Sequence, residues 1–319
     1  MKDTKSYLSK IVQDMPDSGI KDFFDVANTM EGALSLGVGE PDFPTPEHVR
    51  EAAIASIKKG DTKYTDNRGT VELRAAAAEY LTKFDLHYDK QDEILITMGA
   101  SEGIDLALRT LVNPGEEVLV AEPSYVSYIP CIELCGGVPV SLKLRAENKF
   151  RLTREQLEEK ITEKSKVLLI SYPNNPTGAL YPKEVLQQIV DVAREHQIMI
   201  FSDEIYDRLV MDDEEHVSIA SLAPDLFCVT FSGLSKSHMI AGFRVGWMVL
   251  SGNKAMAKDY ILGLNMLSNM RLCSNVPAQS IVQTALGGHQ SVQNYIVPGG
   301  RIYEQREYIY KALNDIPGI

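Results

Sequence analysis

Three segments of the sequence carry an amide, a carboxylate and an amine at comparable positions. Asn175 lies in YPNNPTG (172–178), Asp203 in SDEIY (202–206), and Lys236 directly follows the apolar and hydroxylated run FSGLS. Asp203 comes 28 positions after Asn175, and Lys236 comes 33 positions after Asp203, each about the length of a strand-helix-strand unit. Ligands of open α/β sheets bind beyond the carboxyl ends of the strands. We therefore expect the three groups to converge at one edge of a sheet.

A fourth segment, MGASEG at 98–103, predicts a phosphate site. It joins a predicted strand to a predicted helix, and its small residues Gly99, Ala100 and Ser101 leave the N–H groups of the helix start open. The helix dipole favours an anion at that end. Arg244 can add a bidentate contact to the same anion. Together the four segments predict a holder for a phosphorylated ring.

The elements that must position these groups alternate along the chain. Short apolar runs are followed by amphipathic patterns, of which Leu186, Ile189, Val190 and Ala193 at i, i+3, i+4 and i+7 are one. Parallel strands need crossover connections, so this alternation predicts an α/β fold with a mainly parallel sheet sandwiched by helices. The predicted strands are 93–98, 117–121, 167–172, 198–202, 226–231 and 246–250.

Composition limits the class of protein. A chain of 319 residues with 44% hydrophobic content can build a large core, and the formal net charge of -12 gives no footprint for nucleic acid. No apolar run approaches the ~20 residues that span a bilayer, and the first ten residues lack the apolar core of a signal peptide. The cysteines predict buried thiols in a reducing cytoplasm, without the pattern of a metal site: Cys131, Cys135, Cys228 and Cys273.

The motifs resemble those of the class I/II, fold type I, pyridoxal-phosphate aminotransferases. NNPTG, SDEIY and SK followed by GFR occur in the order typical of that family, and the similarity extends from Ile20 to the end. MRLCSNVPAQ at 270–279 and PGGR at 298–301 are similar to bacterial alanine aminotransferases. GEPDF at 39–43 looks more like the general aspartate and aromatic aminotransferases.

The resemblance implies a role for each polar group. Lys236 would bind the cofactor aldehyde covalently and, once freed, would move a proton between the substrate carbon and the cofactor carbon. Asp203 would partner the pyridine nitrogen and so favour the protonated ring. Asn175 and Tyr206 would hydrogen-bond the ring oxygen, and Tyr125 would stack on the ring face.

For the phosphate, the resemblance implies a set of small, hydroxylated and cationic residues: Gly99, Ala100, Ser101, Ser235 and Arg244. Gly233 stands where relatives often have serine, so Ser232 and Ser235 are both candidates for the hydroxyl contact.

Three further residues have roles implied by the resemblance. Tyr64 would reach in from a partner subunit, because this family forms homodimers with shared active sites. Gly39 would offer its backbone to the substrate carboxylate. Arg271 lies near the position where aspartate-specific relatives place a side-chain-binding arginine, but the spacing to Pro277 differs by one. A structural salt bridge is an equal alternative for Arg271.

The resemblance also implies a domain division. Residues 1–45 would belong to a small α+β domain, 46–290 would form the large cofactor-binding domain, and 291–319 would begin the C-terminal part of the small domain. Relatives continue well past the equivalent of Ile319, and that part carries the arginine that clamps the substrate carboxylate. We therefore expect a truncated form in which the rest of the small domain is absent.

The expected function is transamination with pyridoxal 5'-phosphate between an L-amino acid and a 2-oxo acid such as 2-oxoglutarate. Alanine is the favoured donor and aspartate the next.

One alternative is another reaction on the same fold, of the C–S lyase type. Another is an α/β-hydrolase, because GASEG fits the nucleophile elbow, with Ser101, Asp203 and His289 as the triad. A non-catalytic regulatory module would need a DNA-binding helical domain, for which this acidic chain has no room.

Overall fold

A seven-stranded sheet forms the centre of the protein, with strand order β1-β7-β6-β5-β4-β2-β3. The computed structural model describes residues 7–15, 25–27, 29–33 and 39–318, so part of the N-terminal segment 1–45, including residues 1–6, lies outside the described ranges. β7 is antiparallel to both of its neighbours, and all other neighbouring strands are parallel. The strands are β1 Ile94–Thr97, β2 Glu117–Glu122, β3 Val138–Lys143, β4 Ser165–Ser171, β5 Met199–Asp203, β6 Cys228–Gly233 and β7 Gly246–Ser251.

The predicted mainly parallel sheet is confirmed, and one strand was missed. All six predicted strands are present with small shifts at their ends, whereas β3 was not predicted. β3 pairs only with β2 at the edge of the sheet, and Leu142 is its one buried residue. An edge strand can carry proline and polar residues, here Pro139 and Ser141, so its sequence lacks the continuous apolar run of a central strand.

Helices cover both faces of the sheet. Among the described residues, no helix is both long enough and apolar enough to cross a bilayer. The stripe predicted at Leu186, Ile189, Val190 and Ala193 is buried on one helix. The helices are α1 Lys10–Asp14, α2 Glu47–Lys59, α3 Val71–Leu81, α4 Ala100–Leu111, α5 Tyr128–Leu134, α6 Arg154–Lys160, α7 Lys183–Glu195, α8 Ile219–Leu222, α9 Lys258–Arg271, α10 Val276–Ser280, α11 Val282–Gly287 and α12 Arg301–Asn314.

Alternate residues of the central strands feed two separate cores. In β4, Val167 and Leu169 pack with side chains of α4, α5 and α9, whereas Leu168 and Ile170 pack with side chains of α6 and α7. Successive side chains of a strand point to opposite faces, so a strand covered on both sides must be apolar at every position. This requirement explains the uninterrupted run at 167–170. A third core joins β1 and β7 to α2, α3, α10 and α11.

The cysteines are less buried than expected. All four are free thiols, but only Cys228 is fully buried, and Cys131, Cys135 and Cys273 are partly exposed. Cys131 and Cys135 lie one helical turn apart around α5, where the Cys135 thiol donates to the Cys131 carbonyl at 3.2 Å. Burial raises the pKa of Cys131 to about 11, so this thiol is protonated and unreactive at neutral pH.

Gly246 lets the start of β7 pack directly on the turn that precedes α4. A Cβ atom at residue 246 would lie 2.5 Å from the Gly99 carbonyl carbon and 2.6 Å from the Ala100 nitrogen. Both contacts are to backbone, which cannot rotate away. The position of the α4 N-terminus relative to the sheet therefore depends on this glycine.

We predict that Gly246→Ala destabilises the protein by about 1–3 kcal/mol, because the added methyl group must displace backbone. Gly242→Ala is the matched control, since a Cβ there meets no atom within 4 Å. Urea unfolding of both variants, followed by far-UV circular dichroism, measures the difference. Equal midpoints for the two variants would contradict the predicted close packing.

Candidate active site

The structure brings the predicted segments together at one edge of the sheet. Asp203 is the last residue of β5, and the other segments follow the ends of parallel strands within a few residues. β7 runs antiparallel to these strands, so the residues before its first position lie at the same edge. The segments are Gly99 to Ser101 after β1, Tyr125 after β2, Asn175 after β4, Tyr206 after β5, Lys236 after β6 and Arg244 before β7.

Asp203 is a buried carboxylate with two hydrogen-bond donors. The Tyr128 hydroxyl donates to Oδ2 at 2.6 Å, and the backbone N–H of Ile205 donates to Oδ1 at 3.2 Å. Burial raises the pKa of Asp203 to about 6, and these two hydrogen bonds oppose that rise because they favour the charged form. Asp203 is therefore ionised at neutral pH and is poised to hold a cation.

Tyr128 contacts two residues of the candidate site, and the sequence analysis missed it. It begins α5, three positions after Tyr125, and is fully buried. The two rings meet edge to face, with centroids 5.6 Å apart. The Tyr125 hydroxyl lies 3.4 Å from Ser101 Oγ, so Tyr125 extends from Tyr128, which is bonded to Asp203, to the start of α4. The signal available in the sequence was the spacing of the two tyrosines, which places them on one face of a helical turn.

Lys236 is partly buried and lies close to several groups of the predicted site. Burial lowers the pKa of its amine, and Arg244 acts in the same direction, whereas Glu40 and Tyr125 oppose the shift. The amine donates a hydrogen bond to the Gly39 carbonyl and lies 5.8 Å from the centroid of the Tyr206 ring. A lowered pKa increases the fraction of neutral amine, which is the nucleophilic form.

The start of α4 is an open helix terminus beside a cation. No side chain of a described residue caps this helix, and its N-cap residue, Gly99, has φ +79°. A Cβ atom at Gly99 would lie 2.1 Å from Nη2 of Arg244, so the guanidinium packs against the bare glycine. Glycine is required here both for the positive φ and for the close approach. The free N–H groups and the guanidinium together form a site suited to a phosphate.

Hydrogen bonding distinguishes Ser232 from Ser235 and Asn174 from Asn175, because only one side chain of each pair is bonded to other described residues. The Ser232 hydroxyl donates to the Glu204 carbonyl at 3.4 Å, whereas Ser235 makes no hydrogen bond to another described residue. The side chain of Asn174 is used within its own turn and in a contact to Pro123 at 3.2 Å. The Asn175 side chain has no such bond among the described residues. The groups of Ser235 and Asn175 are therefore available to a ligand.

Arg271 forms the structural ion pair that was one of its two alternatives. Its Nε lies 2.5 Å from Glu102 Oε1, and its Nη2 donates to the Ile96 carbonyl at 2.7 Å. Glu102 lies in the first turn of α4. The guanidinium is thus engaged by the protein itself.

The hydrolase triad of Ser101, Asp203 and His289 is not formed. Ser101 Oγ lies next to Tyr125, and both carboxylate oxygens of Asp203 accept hydrogen bonds from other residues. His289 is exposed, and its Nε2 is 3.2 Å from the side-chain amide of Asn294. A base must lie within hydrogen-bond reach of its nucleophile, so this alternative is wrong.

Comparison with known proteins decides the family. The sequence profile described as aminotransferase class I and II matches residues 31–319. The chain belongs to this family. The reaction of this aminotransferase is accordingly transamination, and the predicted fold type is confirmed by the solved structures that it resembles.

Relatives of this aminotransferase include enzymes named for alanine. It is 41% identical over 317 residues to the glutamate-pyruvate aminotransferase AlaA of Escherichia coli (strain K12), a match that covers 98% of this chain and 78% of that protein. The solved alanine aminotransferase from Pyrococcus furiosus has a TM-score of 0.91 and 34% identity, covering 98% of this chain and 80% of that one. The aspartate aminotransferase from Thermus thermophilus with maleate has a TM-score of 0.82 and 32% identity, covering 91% and 75%.

We predict that Asp203→Asn stabilises the cofactor-free protein by roughly 1–3 kcal/mol above pH 7, because it removes a buried charge. The folded-state pKa of Asp203 is about 6, above the ordinary value of 3.8, so the native state binds this proton more tightly than the unfolded state. The contribution of Asp203 to the stability of the wild type should therefore fall as pH rises from about 4 to about 6, while the variant lacks this loss.

Urea unfolding of the cofactor-free wild type and of Asp203→Asn at several pH values tests this prediction. The gap between the two should be small at pH 4 and reach its full size above pH 6. A gap that stays constant across this range would show that Asp203 does not titrate as its burial requires. Asp212→Asn is the control, because that carboxyl is exposed and pairs with Arg306 on the surface.

Proposed function

We propose that this aminotransferase uses pyridoxal 5'-phosphate to move the amino group of alanine to a 2-oxo acid such as 2-oxoglutarate, with aspartate as the next donor. The observation that carries the cofactor proposal is the arrangement at the sheet edge. A buried carboxylate lies at one end, an open helix terminus with a guanidinium at the other, and a lysine with lowered pKa faces the same space.

The residues fit this cofactor by charge and by shape. Tyr125 touches Tyr128, which holds Asp203, and its hydroxyl approaches Ser101 at the start of α4. One aromatic ring therefore lies between the acid and the phosphate-binding end, as a flat surface on which a pyridine ring can stack. Gly99 leaves the space that the Arg244 guanidinium occupies beside the helix terminus. A ring with a cationic nitrogen at one end and a phosphate at the other matches both ends.

When bound, pyridoxal phosphate supplies an aldehyde and a conjugated ring that accepts electrons from the substrate carbon. The amine of Lys236 would bind that aldehyde. When displaced by the amino acid, it would carry a proton between the substrate carbon and the cofactor carbon. Asp203 would keep the ring nitrogen protonated, and Tyr128 would hold the carboxylate of Asp203 in the ionised form. Asn175 and Tyr206 would donate to the ring oxygen.

The remaining contacts follow from which groups are free. Ser235 is the better candidate for the phosphate, because the hydroxyl of Ser232 already donates to a carbonyl. Gly39 lies within hydrogen-bond distance of the Lys236 amine, which supports a place for its backbone at the edge of the substrate pocket. Ala100 and Ser101 would contribute backbone N–H groups to the phosphate together with Gly99 and Arg244.

We also propose a homodimer in which Tyr64 contributes to the partner's site. Tyr64 is 82% exposed, and the loop that carries it contacts the end of α9, where Asn67 donates to Asn269 at 3.0 Å. The outer face of α9 carries an apolar stripe of exposed side chains at helical spacing: Leu262, Met266 and Met270. An exposed apolar stripe next to a site residue is typical of a subunit interface.

The domain division at 45 and 290 remains a proposal. The segments on either side of the large domain contact each other, because the rings of Phe43 and Tyr295 stack at 4.3 Å and Arg301 bonds Asp42. These contacts support a small domain built from both ends of the chain.

The free thiols support the proposed cytoplasmic location.

A panel of amino donors tests the substrate assignment. We expect alanine to convert the bound chromophore fastest, aspartate more slowly, and aromatic amino acids least, as measured by stopped-flow absorbance with one donor at a time. The relatives named for alanine motivate this order. Faster conversion by aspartate than by alanine would reverse the donor assignment while leaving the family unaffected.

Lys236→Ala tests the cofactor assignment. We predict that borohydride reduction fixes pyridoxal phosphate to the wild type but not to this variant, because Lys236 carries the amine that reaches the aldehyde in the proposed site. Tryptic mass spectrometry locates the modified residue, and near-UV circular dichroism shows whether the fold is intact. Lys254→Ala, which removes a surface lysine paired with Glu93, is the control and should be labelled like the wild type.

A further inference from the structure

A negative charge lies next to the proposed phosphate site. Glu102 is in the first turn of α4, three residues after Gly99. Its Oε2 accepts a hydrogen bond from the backbone N–H of Met98 at 2.6 Å. A carboxylate at a helix N-terminus is favourable on its own, but it repels any phosphate bound at the same terminus. The site therefore contains a group that opposes the binding of its proposed ligand.

Arg271 is placed to cancel that charge. Its Nε lies 2.5 Å from Glu102 Oε1, and the side chains are only 14% and 20% exposed for Arg271 and Glu102 respectively. Pairs that are partly withdrawn from solvent are screened less than pairs on the surface. The guanidinium thus compensates the charge of Glu102 while its other contacts are to backbone carbonyls of Ile96 and Leu272.

The same guanidinium holds the turn that carries the site. Its Nη2 donates to the Ile96 carbonyl in β1 at 2.7 Å, and Glu102 fixes the next part of the chain through Met98. Nη1 donates to the Leu272 carbonyl at 2.8 Å. Leu272 has φ +68°, a conformation that is unfavourable for a residue with a side chain and persists only where its surroundings hold it in place. Arg271 therefore fastens the end of α9 to the strand and turn before α4.

We propose that Arg271 is a positioning residue for the cofactor phosphate, acting through Glu102. It neutralises this carboxylate and fixes the turn from Ile96 to Ala100, so that the N–H groups of α4 and the guanidinium of Arg244 meet the phosphate without repulsion. The proposal rests on the proposed pyridoxal-phosphate function. It gives Arg271 a role other than contact with a substrate side chain.

Substitutions of Arg271 and of Glu102 should change the affinity for pyridoxal phosphate in opposite directions. Arg271→Met leaves the Glu102 charge uncompensated and should weaken binding of pyridoxal phosphate by about tenfold to a hundredfold, as expected for loss of a charge-assisted contact. Glu102→Gln keeps an acceptor for the Met98 N–H and removes the charge, so its affinity should equal or exceed that of the wild type. The double variant should bind more tightly than Arg271→Met alone.

The measurement compares two ligands that differ only in the phosphate. Cofactor-free protein is titrated with pyridoxal phosphate and with pyridoxal, and the dissociation constant for pyridoxal divided by that for pyridoxal phosphate reports the phosphate contribution. Arg271→Met should lower this ratio by the same tenfold or more, with less than about a threefold change for pyridoxal. Inorganic phosphate should compete with pyridoxal phosphate less well in Arg271→Met than in the wild type.

Two variants serve as controls. Arg109→Met removes an ion pair with Asp105, 2.8 Å long, at the other end of the same helix, and should leave the ratio unchanged. Arg244→Ala removes the proposed direct contact and should lower the ratio by itself. If Arg271→Met does not fold, Glu102→Gln alone decides, because it must not lose affinity for the phosphate.

The outcomes separate the two proposals. If the wild type does not prefer pyridoxal phosphate to pyridoxal, or if Arg244→Ala keeps that preference, the proposed phosphate site itself is wrong. If Arg244→Ala loses the preference while Arg271→Met keeps it, the role of Arg271 is overturned and the phosphate site stands. Loss of affinity in Glu102→Gln equally overturns the charge argument.

Discussion

The burial of one carboxylate at the end of β5 is the constraint on which the site depends. A carboxylate out of water costs free energy unless donors or a cation compensate it. Tyr128 and the N–H of Ile205 supply part of that compensation for Asp203, yet the pKa of this group stays raised to about 6. In the proposed function, a protonated ring nitrogen would supply the compensation that is still missing. The burial that destabilises the charged acid in the protein alone would then favour the bound ligand.

The opposite end of the site is built from groups that the fold leaves unsatisfied. A helix normally has its first N–H groups capped, but no side chain within the described ranges caps α4, which begins after a glycine. The close packing of Gly246 on this turn and of Arg244 on Gly99 fixes the open terminus in place. Local rules of stability are thus broken at both ends of the site, as expected where a ligand completes the structure. In the role proposed for the Glu102–Arg271 pair, the charge balance around this terminus extends to a residue outside the phosphate site.

Much of this arrangement follows from the sheet direction. Six strands, β1 to β6, run in the same direction and end at one edge of the sheet, and the antiparallel β7 begins at that edge. Segments far apart in sequence can therefore meet at this edge. A short loop after each strand is enough to place its side chain in the site. Tyr64 and the apolar stripe on α9 point to a second surface of the molecule, where the proposed partner subunit would complete what one chain begins.

The sequence alone determined the central strands, the buried apolar stripe on α7, and the segments that meet at the edge of the sheet where the candidate site lies. These follow from local rules: a strand covered on both faces is apolar throughout, and strand-helix-strand units have a typical length. It could not determine the edge strand β3, because pairing on one side leaves a weak apolar pattern. Nor could it find the hydrogen bond from Tyr128 to Asp203, the ion pair between Arg271 and Glu102, or the hydrogen bond that engages the Ser232 hydroxyl. Each of these depends on which side chains from distant segments meet in space, and only the packing of helices on the sheet decides that.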